Sequence, residues 1–217
     1  MIRTINYAFY CSQISVTQSQ GVITCIPKEG KDKQYLKNWR PITLLNTMYK
    51  IASSCIAARL KMVLAKLISE EQKGFLKGRD RGENIRLLYD TLLYTNKHQT
   101  HGLLLMVDFE KAFDSVAWSF IEKSLNKFNF GHDIKRWIST FYANINSCMY
   151  VHGQHSEWFD VRRGARQGDP LSPYLFLICA EILSSMTHQN KNIHVIKILD
   201  EEILLSQLCR FPFLCLL

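Results

Sequence analysis

A chain of 217 residues, 47% of them hydrophobic, is long enough to bury a core and too apolar to remain disordered. No apolar run reaches the ~18–20 residues of a membrane span; Leu171–Met186 comes nearest, and Glu181 interrupts it. The formal charge of +8 favours a polyanionic partner, because Lys and Arg gain by releasing counterions from phosphates.

The first residues, Met1-Ile2-Arg3, lack the apolar core and small-residue cleavage site of a secretory signal, which places the chain inside the cell, nucleus or cytoplasm. A short β-like run, Gly21–Ile26, leads into a basic, turn-rich segment from Lys28 to Pro41. Lys50–Ile68 reads as a helix, with Ile51, Cys55, Ile56, Leu60, Val63, Leu64 and Leu67 at helical spacing. The polar stretch Lys77–Gly82 is a loop, and Ile85, Leu88, Tyr89, Leu92 and Leu93 mark a second helix. Leu103–Val107 is a continuous apolar run, the pattern of a buried strand, and it stops at Asp108.

Two helical patterns follow, around Trp118–Phe128 and Asp133–Tyr142. Ser147–His152 and Glu157–Arg162 pair as a hairpin around Gly153. Gly164–Pro170 is a loop, and Ser172-Pro173 starts a helix over Tyr174–Thr187. Ile193–Ile198 and Glu202–Leu205 suggest a last hairpin. Strands and helices mix without regular alternation, so the fold class is α+β. The seven cysteines are odd in number, scattered and without a Cys-x-x-Cys pair; reduced thiols, several of them in the core, are expected. His152 and His155 flank a turn, and neither suggests a metal.

Two segments carry chemistry. In Val107-Asp108-Phe109-Glu110-Lys111-Ala112-Phe113-Asp114-Ser115 an acid ends an apolar strand. Such a carboxylate is held rigidly where a divalent cation and phosphates can approach; a simple turn or helix cap is the other reading. Asp114 beside Ser115 is better placed still as a cap. In Arg163-Gly164-Ala165-Arg166-Gln167-Gly168-Asp169-Pro170-Leu171-Ser172-Pro173 the glycines allow close backbone approach, the arginines suit phosphates, and a helix start follows. An ordinary basic loop before a capped helix would look the same.

Together and in this order, these segments resemble the non-LTR (LINE-type) reverse transcriptases. The resemblance runs from about residue 5 to 207 and includes Ile26-Pro27-Lys28, Asn38-Trp39-Arg40-Pro41-Ile42 and Gln72-Lys73-Gly74-Phe75-Leu76-Lys77-Gly78-Arg79. It implies the fingers and partial palm of a right-hand polymerase, an antiparallel sheet backed by helices with no thumb. It implies that Asp108 binds a catalytic metal, Mg2+ or Mn2+, with the carbonyl of Phe109 as a second contact. Phe113 matches the steric gate that excludes a 2′-hydroxyl, although a core phenylalanine looks alike. Lys28 and Arg40 match the groups that neutralise a triphosphate. Gln167 and Gly168 match the loop lining the nucleotide and template pocket, and Gly74, Phe75, Lys77 and Arg79 the segment that meets the template. A solvated loop is an alternative for Lys77 and Arg79. The implied partners are an RNA template, a DNA primer and deoxynucleotides, with no membrane; oligomeric state is left open.

After Leu205-Ser206-Gln207 the family carries Tyr/Phe-Ala-Asp-Asp, whereas this chain reads Leu208-Cys209-Arg210-Phe211-Pro212-Phe213-Leu214-Cys215-Leu216-Leu217. One set of codons for Leu208-Cys209-Arg210-Phe211, read a base later, encodes Phe-Ala-Asp, so a frame shift accounts economically for the tail. Two functions follow as expectations. One is an RNA-directed DNA polymerase; the other is a remnant that binds nucleic acid without catalysis, favoured because one aspartate does not hold two metals. The truncated sheet is also expected to expose an edge and apolar surface.

Overall fold

The structure, a computed structural model, describes residues 2–107, 109, 111–193, 196–198, 201–203, 205–206 and 213–216. Two short helices, α1 (Ile2–Cys11) and α2 (Val16–Ser19), lead into strands β1 (Gly21–Pro27) and β2 (Trp39–Leu45). Helices α3 (Thr47–Leu67) and α4 (Gly82–His98) follow, then strand β3 (Leu104–Val107) and the one-turn helix α5 (Ala112–Ser115). Helices α6 (Trp118–Lys127) and α7 (His132–Tyr142) precede strands β4 (Asn146–Val151), β5 (Gln154–His155) and β6 (Phe159–Asp160). Helix α8 (Ser172–Gln189) and strands β7 (Ile196–Ile198), β8 (Glu201–Ile203), β9 (Leu205–Ser206) and β10 (Phe213–Leu216) complete the order. This is the α+β mixture expected. Contacts divide it into two compact units, Met1–Leu60 with Ala112–Phe176, and Lys61–Lys111 with Leu177–Leu217.

In the first unit β1 pairs antiparallel with β2 from Gly21↔Leu45 to Pro27↔Trp39, and parallel with β4 at Gly21↔Ser147. The turn-rich reading of residues 28–41 runs too far, because β2 already begins at Trp39. The loop closes on itself first: Asn38 Nδ2 donates to Asp32 O at 2.7 Å and Trp39 Nε1 to Lys33 O at 2.9 Å. Pro41 is tolerated because β2 is an edge strand, so no sheet partner is deprived of a donor. The expected hairpin around Gly153 forms, with β5 and β6 both paired to β4.

Helix α3 turns Tyr49, Ala52, Ile56 and Leu60 inward at helical spacing, and Ile121, Leu125, Ile138 and Phe141 of α6 and α7 are buried with them. Phe141 meets Tyr49 edge-on at 5.1 Å and Phe9 at 5.7 Å. Such pairs add to what area burial alone contributes. Helices α1, α2 and α5 have no counterpart in the sequence reading. Asp114, read as a cap, lies inside α5 with Ser115, whose Oγ donates to Ala112 O at 3.4 Å.

In the second unit three expectations change. On α4 the residues Ile85, Tyr89, Leu92 and Leu93 are exposed, while Asn84 and Thr91 are buried. Thr91 tolerates burial because its hydroxyl donates to Leu87 O at 2.7 Å, within its own helix. Strand β3 is not a buried strand: Leu105 and Met106 are exposed. Its edge is also not open, since β10 pairs with it from Phe213↔Val107 to Leu216↔Leu104 and pairs on its other side with β9. The divergent tail thus supplies a strand where an unpaired edge was expected. Strands β7 and β8 form the last hairpin. Cys148 and Cys179 are buried, and none of Cys11, Cys25, Cys55, Cys148 and Cys179 is in a disulfide. Among the described residues no helix is long and apolar enough to cross a membrane.

Candidate nucleotide and template site

The segment from Gly164 to Gly168 is fastened at both ends within the first unit. Gly164 N donates to Val116 O at 2.8 Å, Ala165 N to Phe113 O at 2.7 Å, and Trp118 Nε1 to Gly164 O at 3.0 Å. Gly164 has φ +92°, and a Cβ there would lie 2.8 Å from Asp114 O. At the other end Thr43 N, on the outer edge of β2, donates to Gln167 O at 2.9 Å. Gly168, with φ +110°, packs so that a Cβ would meet Thr43 O at 2.8 Å. Only glycine combines that conformation with that approach. Gly168→Ala is expected to cost about 1–3 kcal/mol in chemical denaturation. Gly30→Ala is the control, since Gly30 also has positive φ (+68°) but nothing within 4 Å. An equal loss at the two positions would show that φ strain, and not contact with β2, sets the cost.

Arg166 and Asp169, which flank Gln167-Gly168, are both buried. The phosphate role read for the arginines fails for Arg166. Its Nη2 donates to Ser19 O at 2.5 Å, and its guanidinium lies 5.3 Å from the centre of the Tyr49 ring. Arg163 is exposed and keeps that reading open. Asp169 Oδ1 accepts from Leu171 N at 3.1 Å, and Asp169 N donates to Arg166 O at 3.1 Å. Burial pushes the Asp169 carboxyl above the usual carboxylate range, opposed by Ser53, Leu171 N–H, Arg166 and Tyr49. Burial likewise pushes the Arg166 guanidinium down and the Tyr49 phenol well up. The Tyr49 hydroxyl also approaches Phe141 O at 3.3 Å and that of Ser53 approaches Lys50 O at 3.2 Å, so Asp169 Oδ2 lacks a well-formed hydrogen bond.

The β1–β2 hairpin puts two cations on one face. Arg40 is directly opposite Ile26, and Lys28 follows two residues after Ile26, with Lys28 N donating to Asn38 O at 2.8 Å. Strand alternation therefore aligns Lys28 and Arg40. Arg40 is exposed. Lys28 Nζ donates to Lys37 O at 2.9 Å, which leaves two of the three ammonium donors. Thr43, where Gln167 docks, is three residues from Arg40, roughly 10 Å along the strand. Phe113 is half-buried, and its ring stacks on Phe176 at 4.8 Å, with an angle of 26° between the planes. Lys28, Arg40, the Phe113 ring and the glycine loop thus belong to one compact unit.

Reverse transcriptase (RNA-dependent DNA polymerase) is the family that matches, over residues 26–208. The chain belongs to it. It is 31% identical over 94% of its length to a Xenopus laevis protein, the transposon TX1 uncharacterized 149 kDa protein, and covers 16% of that relative. It is 31% identical over 75% of its length to the Popillia japonica Pol polyprotein from the type-1 retrotransposable element R2, covering 23% of it. A telomerase from Candida Tropicalis, solved in complex with the TWJ fragment of telomeric RNA, shares the fold at a TM-score of 0.57. That match is 14% identical and covers 94% of this chain and 37% of the telomerase. The chain is a reverse transcriptase domain of the non-LTR retrotransposon type, and it spans less than a quarter of the two curated relatives.

Of this reverse transcriptase's expected metal contacts, Asp108 lies outside the described residues, and Phe109 is exposed. The family generally uses divalent metals. Among the described residues no three His, Cys, Asp or Glu side chains are grouped to hold one, so the described part offers no complete metal site.

In the second unit Gly74 is buried, with its N–H donating to Gln72 Oε1 at 3.0 Å, and Phe75 has φ +58°. Lys77 is exposed. The solvated-loop alternative does not hold for Arg79, whose guanidinium donates to Ser69 O at 2.5 Å, Gln72 O at 2.6 Å and Ile68 O at 2.8 Å. It bonds carbonyls just beyond the end of α3, where a helix leaves acceptors to be satisfied. Arg79→Ala is expected to cost about 1.5–3 kcal/mol, the scale of charge-assisted bonds to buried carbonyls. Urea melts of Arg79→Ala beside Lys77→Ala check this; equal stability of the two variants would refute it. Sequence spacing showed neither the cap nor the Arg166 cluster, because the partners are main-chain carbonyls and a tyrosine distant in sequence.

Proposed function

We propose that this reverse transcriptase domain binds an RNA template, a DNA primer and a deoxynucleotide, and that by itself it does not extend the primer. The observation that carries the binding half is the docking of Gln167-Gly168 on β2, in the unit that also carries Lys28 and Arg40. Arg40 offers a planar fork and Lys28 a point charge to a triphosphate, while the Phe113 ring supplies the bulk that would meet a 2′-hydroxyl. Lys77 is the template contact of its segment, and Arg79 holds that segment in shape. Asp108 with the Phe109 carbonyl would hold one Mg2+, whose chemistry is to neutralise phosphate charge.

The non-extending half rests on composition. Residues 208–217 contain no Asp or Glu where the family pattern places two aspartates. Asp200, Glu201 and Glu202 precede Gln207, and Glu201 and Glu202 lie on β8, paired to β7. Primer extension on an RNA template with Mg2+ or Mn2+, with binding followed as salt is raised, tests both halves. Salt-sensitive binding without extension is the expected result. Extension that Asp108→Ala abolishes would overturn the second half, and absence of binding the first.

A further inference from the structure

We propose that Arg166, clasped by Ser19 and Tyr49 and followed by Asp169, is the positioning residue that sets the nucleotide pocket, by latching the Gln167-Gly168 turn to the β1–β2 hairpin. The inference rests on the nucleotide reading above and adds a residue that touches no substrate. Three attachments meet at this residue. Its Nη2 bonds to Ser19 O, two residues before β1 begins; its guanidinium lies over the ring of Tyr49, in the first turn of α3; and its carbonyl accepts from Asp169 N. The next residue, Gln167, accepts from Thr43 N on β2. A shift of Arg166 therefore moves Gln167 along the strand that carries Arg40.

A planar guanidinium is required. It reaches the Ser19 carbonyl with one nitrogen while lying over a ring, whereas an ammonium is a compact, strongly hydrated point charge. The cluster is not needed merely to fill space. Arg166 Nε and Nη1, Asp169 Oδ2 and Ser172 Oγ are buried without hydrogen-bond partners among the described residues. A uniformly apolar core would avoid that cost. Polar anchoring here is expensive, and it fixes the two residues beside the turn instead of the turn itself. Gln167 and Gly168 stay accessible.

The experiment compares the full chain with Arg166→Lys and, as a second variant that keeps the arginine, Tyr49→Leu. Three quantities are read: hydrogen exchange of the Thr43 amide, dTTP affinity with Mg2+ on a bound oligo(rA)–oligo(dT), and affinity for that duplex without dTTP. The expected result, in whichever variant melts cooperatively, is Thr43 exchange at least tenfold faster. dTTP binding weakens by a similar factor and duplex affinity stays within twofold. Unchanged exchange in a folded variant overturns the latch. Faster exchange with unchanged dTTP affinity overturns the positioning role, leaving a structural one. If the unmodified chain binds no dTTP, the nucleotide reading fails by itself, and Thr43 exchange alone decides the latch.

Discussion

Arg166→Met destabilises the chain by about 3–5 kcal/mol, and the loss grows as pH rises. Removing one partner of a buried charged cluster leaves the other uncompensated, which costs that much in comparable sites. Here the survivor is Asp169, which is buried and has one oxygen already lacking a well-formed bond. Ser19 O also loses its guanidinium donor. The pH dependence follows from the sign of the shift. Burial already raises the Asp169 carboxyl above its unfolded value, and Arg166 is one of the influences that lowers it. Without Arg166 the folded-state value rises further. A carboxyl raised in the folded state contributes stability that is fully present below its unfolded pKa and lost as pH rises through its folded pKa. The variant therefore approaches the unmodified chain in acid and falls away from it towards neutral pH. Glu181, also raised by burial, adds the same slope to both chains and cancels in the difference. Urea melts near pH 5 and pH 8 measure the gap; a gap that is constant or narrows with rising pH would refute the coupling.

The local elements were the legible part of this fold. The apolar spacing of α3, the turn at Gly153 and the Ser172-Pro173 start of α8 each express a rule confined to neighbouring residues, and each forms as read. What the residues face was less legible. Leu105 and Met106 read as core and are exposed, and on α4 the polar Asn84 and Thr91 are buried where the apolar Ile85, Tyr89, Leu92 and Leu93 are not. Burial depends on which elements meet, and hydrophobicity sets only the average outcome. The same limit applies at the site. Lys28, Arg40, Phe113, Gln167 and Gly168 could be named because family blocks mark them. Arg166 was misassigned to phosphate because its partners, Ser19 O and the Tyr49 ring, lie 147 and 117 residues away in sequence (166 − 19 and 166 − 49). Nothing in Arg-Gln-Gly-Asp distinguishes an arginine facing solvent from one facing a core tyrosine. The pairing of β10 with β3 was missed because residues 213–216 match no family pattern, although an apolar run beside an open edge strand is a natural partner for it.

Writing the family pattern back into positions 208–211, as Leu208→Tyr, Cys209→Ala, Arg210→Asp and Phe211→Asp, is expected to raise primer extension by about a hundredfold or more. That factor is the scale associated with one preorganised electrostatic group. The charge balance gives the direction. Two divalent cations would bring four positive charges, against which the proposed ligand Asp108 would set one negative charge, and Arg210 adds a positive charge in the segment where the family pattern places its aspartates. The quadruple substitution removes that cation and adds two carboxylates. Positions 208–211 lie outside the described residues, while β9 and β10, on either side of them in sequence, are paired to each other. The loop Gln167-Gly168, the proposed gate Phe113 and the cations Lys28 and Arg40 are untouched by the change. Any gain is therefore attributable to the four substituted positions, through the added carboxylates and the lost cation. The same four substitutions combined with Asp108→Ala should return extension to background, since the restored pair then lacks its partner. A folded, template-binding quadruple variant that extends no faster than the unmodified chain would show that more than two aspartates separates this domain from an active polymerase.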